Sequence, residues 1–293
     1  MGDGVHGRTK DRDCVRGLAA QVAGIAQEPR MAGIRRRWRD VNALRKPDRA
    51  PVWCRPVGCW CEILQEDSLV CTEPWLRGIE YQFRQIIHKR SIDDDSPVEG
   101  WYSVGAVFRC TPDNRWGVDI HRHESGAQGG AWAYDPPLKD PADFDRLAMP
   151  AFTYDEDATR RRLERTAELL DGILPARLTA RVPLGATLGT AAADLRGLEQ
   201  MMIDMAMAPE LMHRLMGHLR DATLAAMDTV ERTGLLTPTN LGPMTCSDPP
   251  GGSADGRPLT CKDLWCMANS QEFDRVSPAM WQEFCLDYQK PIF

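Results

Sequence analysis

The stretch that decides the fold class lies at residues 208–241 and reads APELMHRLMGHLRDATLAAMDTVERTGLLTPTNL. Pro209 is typical of a first helical turn, where its missing N–H leaves no hydrogen bond unmade. Apolar side chains then recur every three or four residues through 211–230, which predicts one buried helical face. Gly234 favours the end of that helix. The short apolar run at 235–241 predicts a buried strand, so the stretch is a helix that leads into a strand.

The same alternation runs through the rest of the chain. Strands are predicted at residues 50–54, 101–108, 117–120, 173–182 and 235–241, and helices at residues 76–86, 157–170, 195–205 and 277–288. Alternating strands and helices are typical of an α/β fold with a parallel sheet. Periodicity alone does not separate a closed barrel from an open doubly wound sheet. Residues 1–30 show little apolar period, so we expect a loose N-terminal segment.

Charge and hydropathy restrict the class of protein. The chain has 293 residues, with 36 Lys and Arg against 42 Asp and Glu, and a formal net charge of −6. This acidic balance argues against a nucleic-acid partner, whose phosphates need a basic excess. We therefore interpret the basic run at 35–39 as the solvated face of a short helix. No apolar run reaches the roughly 18 residues of a membrane span, so we expect no membrane partner.

The cysteines and the N-terminus indicate a compartment. The segment MGDGVHGRTKDRD at the start of the chain has no apolar core, so it does not resemble a secretory signal. The ten cysteines are scattered through a long chain, whereas disulfide frameworks belong to short secreted domains. We therefore expect reduced thiols and a cytoplasmic protein.

Two residue pairs are weak candidates for metal ligands. His121 and His123 are two residues apart, so they share one face if the segment is a strand. Cys261 and Cys266 are separated by more residues than the usual zinc-binding pair. Zinc prefers imidazole and thiolate ligands, but neither pair has a further ligand at a suitable spacing. The alternatives are exposed strand-end histidines and cysteines that pack as small hydrophobic residues.

Arg55 is a candidate substrate-binding residue. It follows the predicted strand at 50–54, with Trp53 just before it and Gly58 just after it. Active sites of α/β barrels lie at the carboxyl ends of the strands. A guanidinium group binds a carboxylate or a phosphate through two hydrogen bonds. The alternative is that Arg55 forms a structural salt bridge.

Four segments, taken in order, resemble the uroporphyrinogen decarboxylase superfamily. They are APVWCRPVG at residues 50–58, VPLGATL at 182–188, APELMHRLM at 208–216, and NSQ with the following SPAMWQEF within 269–292. The resemblance implies a TIM-type (α/β)8 barrel over residues 41–293, with residues 1–40 as an N-terminal extension and first helix. Because members of the family continue beyond the helix at which this chain stops, we expect a truncated barrel whose last strands are missing.

Departures from the family pattern decide the branch. Decarboxylases of the family carry a second Arg shortly after the first, whereas residues 58–60 here read Gly-Cys-Trp. They also carry an Asp that steadies the protonated pyrrole, and residues 99–108 here contain no Asp. The pattern therefore favours the branch of corrinoid-dependent methyltransferases. Uroporphyrinogen III decarboxylase of porphyrin biosynthesis and a non-catalytic or inactive barrel fragment are the alternatives.

The resemblance also implies a reaction and its partners. It implies methyl transfer involving a small methylated substrate, with zinc as a cofactor and a methylcobamide carried by a corrinoid-binding partner protein. It implies substrate contacts at Trp53, Arg55, Gly58, Asn269, Ser270 and Gln271. The zinc ligands of such enzymes lie largely after the point where this chain stops, so we expect them beyond residue 293.

Overall fold

The structure is a computed structural model that describes residues 3–124, 126, 132–249 and 256–293. Its helices are α1 (Asp3–Gln27), α2 (Arg30–Asn42), α3 (Trp60–Ile63), α4 (Pro74–Ser91), α5 (Glu156–Leu170), α6 (Leu188–Arg196), α7 (Leu198–Met207), α8 (Pro209–Thr233), α9 (Pro278–Trp281) and α10 (Asp287–Gln289). Its strands are β1 (Tyr102–Gly105), β2 (Phe108–Thr111), β3 (His121–Glu124), β4 (Trp132–Asp135), β5 (Ala151–Tyr154) and β6 (Ala176–Thr179). A π-helical turn, Gln282–Leu286, joins α9 to α10.

The chain divides into two compact units. The first comprises Met1–Gly105, Glu156–Thr179 and Pro238–Asp255, and the second comprises Ala106–Asp155, Ala180–Thr237 and Gly256–Phe293. In the first unit β1 pairs with β6 in parallel. In the second unit β2 pairs with β5 and β3 with β4, both antiparallel.

Helices make up about 53% of the protein and the strands are few and short. The mixed α/β class predicted from the sequence is therefore confirmed. The described strands form three separate pairs. The closed (α/β)8 barrel, and the division into residues 1–40 and 41–293, stay predictions.

The N-terminal segment is a long helix, so the expectation of a loose start is wrong. α1 packs against α4 within the first unit. Its buried side chains, Val15, Leu18, Val22 and Ile25, follow one another every three or four residues. Glycines and charged residues between these apolar side chains obscure their helical period in the sequence. Their spacing is nevertheless sufficient to cover one helical face.

The predicted first strand at 50–54 is an irregular segment instead. Val52, expected in the core, is 54% exposed. Its N–H donates to the Asp95 carboxylate at 2.8 Å, and the Cys54 N–H donates to the Asp94 carboxylate at 2.7 Å. The Asp95 N–H in turn donates to the Val52 carbonyl at 2.8 Å. Two buried carboxylates therefore satisfy the backbone that a neighbouring strand would otherwise satisfy.

The basic run at 35–39 lies on a helix, as predicted, but it is not simply a solvated face. Arg37, only 11% exposed in its side chain, donates to the carboxylates of Asp48 and Asp95 at 2.7 Å each. Trp38 is buried and its indole N–H donates to the Asp95 carbonyl at 2.6 Å. Arg37 therefore serves internal ion pairs, whereas Arg36 and Arg39 are exposed.

The helix predicted within the stretch at 208–241 is confirmed in the second unit. α8 begins at Pro209 and is followed by its C-cap Gly234, whose φ of 66° is left-handed. Its buried face includes Leu215 and Leu219, which lie in one core with Phe284. The periodicity of the sequence therefore identified the main helix of this unit correctly.

Three other predicted elements differ from the structure. Residues 117–120 and 235–241 are irregular rather than strands. The helical stripe at 195–205 is divided between α6 and α7 at Gly197, which has a φ of +83°. A Cβ at Gly197 would lie 3.0 Å from Pro136 Cγ, so the break is a close approach of two segments.

Two further expectations concern the whole chain. All ten cysteines are free, as expected for reduced thiols. Within the described part of the chain, no helix is long and apolar enough to cross a membrane.

We predict that the buried ion pair of the second unit is essential to its stability. Arg196 and Asp204 are 3% and 4% exposed and lie 2.7 Å apart. Arg196→Met would leave the Asp204 charge buried without its partner, so unfolding should become easier by about 3–5 kcal/mol. Urea unfolding measures this. The control Arg232→Met removes an ion pair whose Arg is 71% exposed and should change stability by about 0.5 kcal/mol or less. Equal effects of both variants would contradict the prediction.

Candidate functional site

A group of polar side chains in the second unit joins two distant segments of the chain. Thr190 lies in the first turn of α6, and its hydroxyl donates to Glu272 Oε1 at 2.6 Å. The Asn269 amide donates to the Thr190 hydroxyl at 3.3 Å. Asp194 lies one helical turn after Thr190 and interacts with the charge of Glu272. We call these four residues, Thr190, Asp194, Asn269 and Glu272, the carboxylate cluster.

Two acceptor atoms of the carboxylate cluster are buried without a donor. Glu272 is 7% exposed, and its Oε2 has no hydrogen-bond partner among the described residues. The same holds for Asn269 Oδ1. Buried acceptors are nearly always satisfied in folded proteins, because leaving one unpaired costs about 1–3 kcal/mol. These two oxygens are therefore the acceptors of the cluster that the described residues leave unsatisfied.

Asp194 can hold a proton close to neutral pH. Burial, and then the negative charge of Glu272, raise the pKa of Asp194 to about 6. In the described part of the chain, Asp194 makes no ion pair that would lower its pKa again. A carboxyl group with such a pKa can donate and accept protons under physiological conditions.

The backbone of α6 makes room for Glu272. A Cβ at Gly189 would lie 2.7 Å from Glu272 Oε2 and 3.1 Å from the ring of Phe273. Only glycine therefore lets this carboxylate approach the first turn of the helix. The positive end of the helix dipole stabilises a negative charge placed there.

The predicted contacts at 269–271 do not all belong to the cluster. Asn269 does, through its side chain. Ser270 is half-buried and its carbonyl accepts the N–H of Phe273 at 2.9 Å, which shapes the turn that holds Glu272. Gln271 is exposed. The structure thus places one of these three side chains at the buried acceptors.

Two of the other predicted contacts, Trp53 and Arg55, line an open cleft of the first unit. The Arg55 guanidinium lies 4.9 Å from the centre of the Trp53 ring, and Lys89 Nζ lies 5.4 Å from it. The cleft has a volume of about 440 Å³ and includes Trp60 and Gln82 in its lining. Lys89 Nζ also lies 3.6 Å from the buried Asp94 carboxylate, which shares its charge, whereas the exposed Arg55 guanidinium suits a carboxylate or phosphate group.

Gly58 does not form part of a close approach. A Cβ built there would meet no atom within 4 Å, and the residue is exposed. The structure therefore gives this glycine no special role beside Arg55. Its place as a predicted substrate contact stays a prediction.

The predicted metal ligands do not come together into a site. His121 and His123 are exposed on β3, where His121 pairs with Asp135 across the hairpin. Cys261 is half-buried and Cys266 is exposed. Burial, and then the neighbouring Glu231, raise the pKa of Cys261 to about 12, so this thiol is protonated. Neither pair belongs to a set of three ligand atoms in the residues that the structure describes.

One such set does occur among the described residues, in the first unit. The ligand atoms of Cys14, Cys71 and Glu80 all lie within 4.8 Å of one another. Two thiols and a carboxylate match the ligands that zinc prefers. Cys71 and Glu80 are completely buried, however, so a metal held there would not reach a substrate. A zinc that activates a substrate therefore has no fitting ligand set among these residues.

Comparisons with family models, with curated proteins and with solved structures find no match for this chain. The carboxylate cluster is the candidate site, because it combines unsatisfied buried acceptors with a carboxyl group that titrates near neutral pH.

Sequence reasoning missed three of the four residues of the carboxylate cluster. Thr190 and Asp194 are four residues apart, so on a helix they share one face. That helix begins at the last residue of VPLGATL at 182–188, one of the four segments that resemble the family. Glu272 directly follows the predicted contact Gln271. The signal was present, but nothing in the sequence indicated that the two segments meet.

We predict that Asp194 lowers the stability of the protein as the pH rises. The pKa of Asp194 is about 6 in the folded protein and lies near 4 in the unfolded chain. Between these values the folded state binds more protons, so stability is lost as the pH rises from about 4 to 6. Asp194→Asn removes this loss. At pH 7.5 it should be more stable than the natural protein by on the order of 1–2 kcal/mol, allowing for partial exposure.

Urea unfolding at a series of pH values checks this expectation. The difference between Asp194→Asn and the natural protein should vanish near pH 4. Asp274→Asn is the matched control, because that carboxylate is 67% exposed and should give no pH-dependent difference. A constant effect of Asp194→Asn at every pH would contradict the assigned pKa.

Proposed function

We propose that this chain is a methyltransferase of the uroporphyrinogen decarboxylase superfamily, built on that family's (α/β)8 barrel. It would act on a small methylated substrate in a zinc- and corrinoid-linked system. One observation supports the proposal above the others. The segments 182–188 and 269–292, two of the four that resemble the family, lead into the two sides of the carboxylate cluster, where Thr190 binds Asn269 and Glu272.

The cluster has the groups that demethylation of a small substrate requires. Breaking the bond between a methyl carbon and a heteroatom leaves an electron pair on the heteroatom, which a proton must neutralise. Asp194 can carry such a proton, because burial and then the charge of Glu272 raise its pKa to about 6. The Thr190 hydroxyl holds Glu272 in position by donating to its Oε1 at 2.6 Å.

The cofactors supply the rest of the chemistry. A reduced corrinoid on a partner protein would supply the nucleophile. Zinc, when bound, would supply a Lewis acid. No open zinc ligand set occurs among the described residues.

A second candidate function is decarboxylation. It is favoured by Arg55 beside Trp53, because an exposed guanidinium at a cleft suits a substrate that carries carboxylates. Against it stands the stretch at 99–108, which lacks the family's Asp. A non-catalytic barrel is the third reading, and the same assays separate all three.

We predict that the protein methylates cob(I)alamin, used as a stand-in for the partner's corrinoid. The assay offers a panel of methyl ethers, methyl thioethers and methylamines with added zinc, and detects methylcobalamin by mass spectrometry. Asp194→Asn should lower kcat by about 100-fold or more, because it removes the general acid. Asp274→Asn, whose carboxylate is exposed, should leave kcat unchanged.

Other outcomes are equally informative. Release of CO2 from a tetrapyrrole carboxylate without methyl transfer would favour the decarboxylase instead. Absence of both reactions with every donor would contradict a catalytic role for the cluster. Full activity of Asp194→Asn would exclude Asp194 as the proton donor.

A further inference from the structure

Three metal-binding side chains converge inside the first unit, at a place unconnected with the proposed reaction. Cys14 lies on α1, Cys71 on the segment before α4, and Glu80 on α4. Their ligand atoms are all within 4.8 Å of one another. Cys14 and Cys71 are 57 positions apart in the chain, so no sequence spacing indicates the site.

The carboxylate of this group is already fixed in position. Glu80 Oε1 accepts the Val70 N–H at 3.0 Å and Arg84 Nε at 2.8 Å. Glu80 Oε2 accepts the Cys71 N–H at 2.8 Å. Burial raises the pKa of Glu80, but these donors outweigh it and hold the pKa at about 2. Oε2 is therefore ionised and keeps a second lone pair for another partner.

The two thiols lie on the open side of that carboxylate. Cys71 Sγ donates to the main-chain oxygen of Asp11 at 3.5 Å. Burial, and then the charge of Glu80, raise the pKa of both cysteines, so without a metal they are protonated. Each buried thiol is only a weak hydrogen-bond donor to the ionised carboxylate beside it. The negative charge of that carboxylate suits a cation.

We propose that Cys14, Cys71 and Glu80 bind one zinc ion, which ties α1 to α4 within the first unit. Thiolates of a tetrahedral zinc site lie about 3.8 Å apart, which the observed separations accommodate. Binding releases the two thiol protons to solvent, so both sulfurs coordinate as thiolates. The charge of the zinc, two thiolates and one carboxylate is then balanced by Arg84. The Asp11 carbonyl is available as a fourth ligand.

The site is structural rather than catalytic. Glu80 and Cys71 have no exposure to solvent, so no substrate approaches them. Its occupancy does not depend on the proposed methyl transfer, and the two proposals can fail separately. Closed zinc sites contribute directly to folding stability, because the metal binds only the folded arrangement.

Metal analysis of the full chain tests the proposal. Purified protein, loaded with zinc and dialysed against a weak chelator, should retain one zinc per chain. Cys14→Ser with Cys71→Ser should retain at most a tenth of that amount. The matched control is Cys59→Ser with Cys61→Ser, which removes another close pair of thiols in the same unit, one of them exposed, and should retain zinc fully.

X-ray absorption of the natural protein keeps the test independent of variant folding. The zinc edge should give two sulfur ligands at about 2.3 Å, with oxygen completing the shell. Retention of no zinc, a shell without sulfur, or loss of zinc in the Cys59 and Cys61 control would each overturn the proposal.

Discussion

Saturation of buried carboxylates by backbone N–H groups is the constraint on which the irregular parts of the first unit depend. Asp95 is completely buried and binds Arg37, Arg49 and the N–H of Val52. These contacts hold the pKa of Asp95 below its usual value although burial opposes them. Glu80 likewise accepts backbone N–H groups, those of Val70 and Cys71 in the segment before α4. A long segment without strand partners can therefore pack in a core, because its backbone N–H groups donate to carboxylates that are held in place.

This constraint explains which parts of the fold the sequence could predict. α8 is bounded by Pro209 and Gly234, and α9 begins where Ser277 accepts the Met280 N–H at 3.2 Å. Such signals are local, so periodicity and capping residues identify them. The apolar run at 50–54 has an equally strong local signal for a strand. It failed because its hydrogen-bond partners, the carboxylates of Asp94 and Asp95, lie forty residues away in the chain.

The candidate site divides in the same manner. Asn269 was predicted from a resemblance, and Arg55 from its place after an expected strand. Asp194 has an ordinary place on an amphipathic helix and becomes unusual only beside Glu272, 78 positions later. The pKa of a side chain depends on burial and neighbouring charges, which are properties of the folded structure. No pattern within a single segment therefore indicates it.

The buried carboxylates of the second unit are of two kinds: in one kind every oxygen accepts a hydrogen bond, and in the other an oxygen has no donor among the described residues. Asp204 is matched by Arg196 and by the Gln200 amide, so its charge is compensated within the protein. Glu272 is as deeply buried, yet one of its oxygens has no donor among the residues described, and Asp194 beside it has no cation there. Burial of two such groups is unfavourable for folding alone. A proton on Asp194 removes one of the two charges, which is why burial and the charge of Glu272 raise its pKa to about 6.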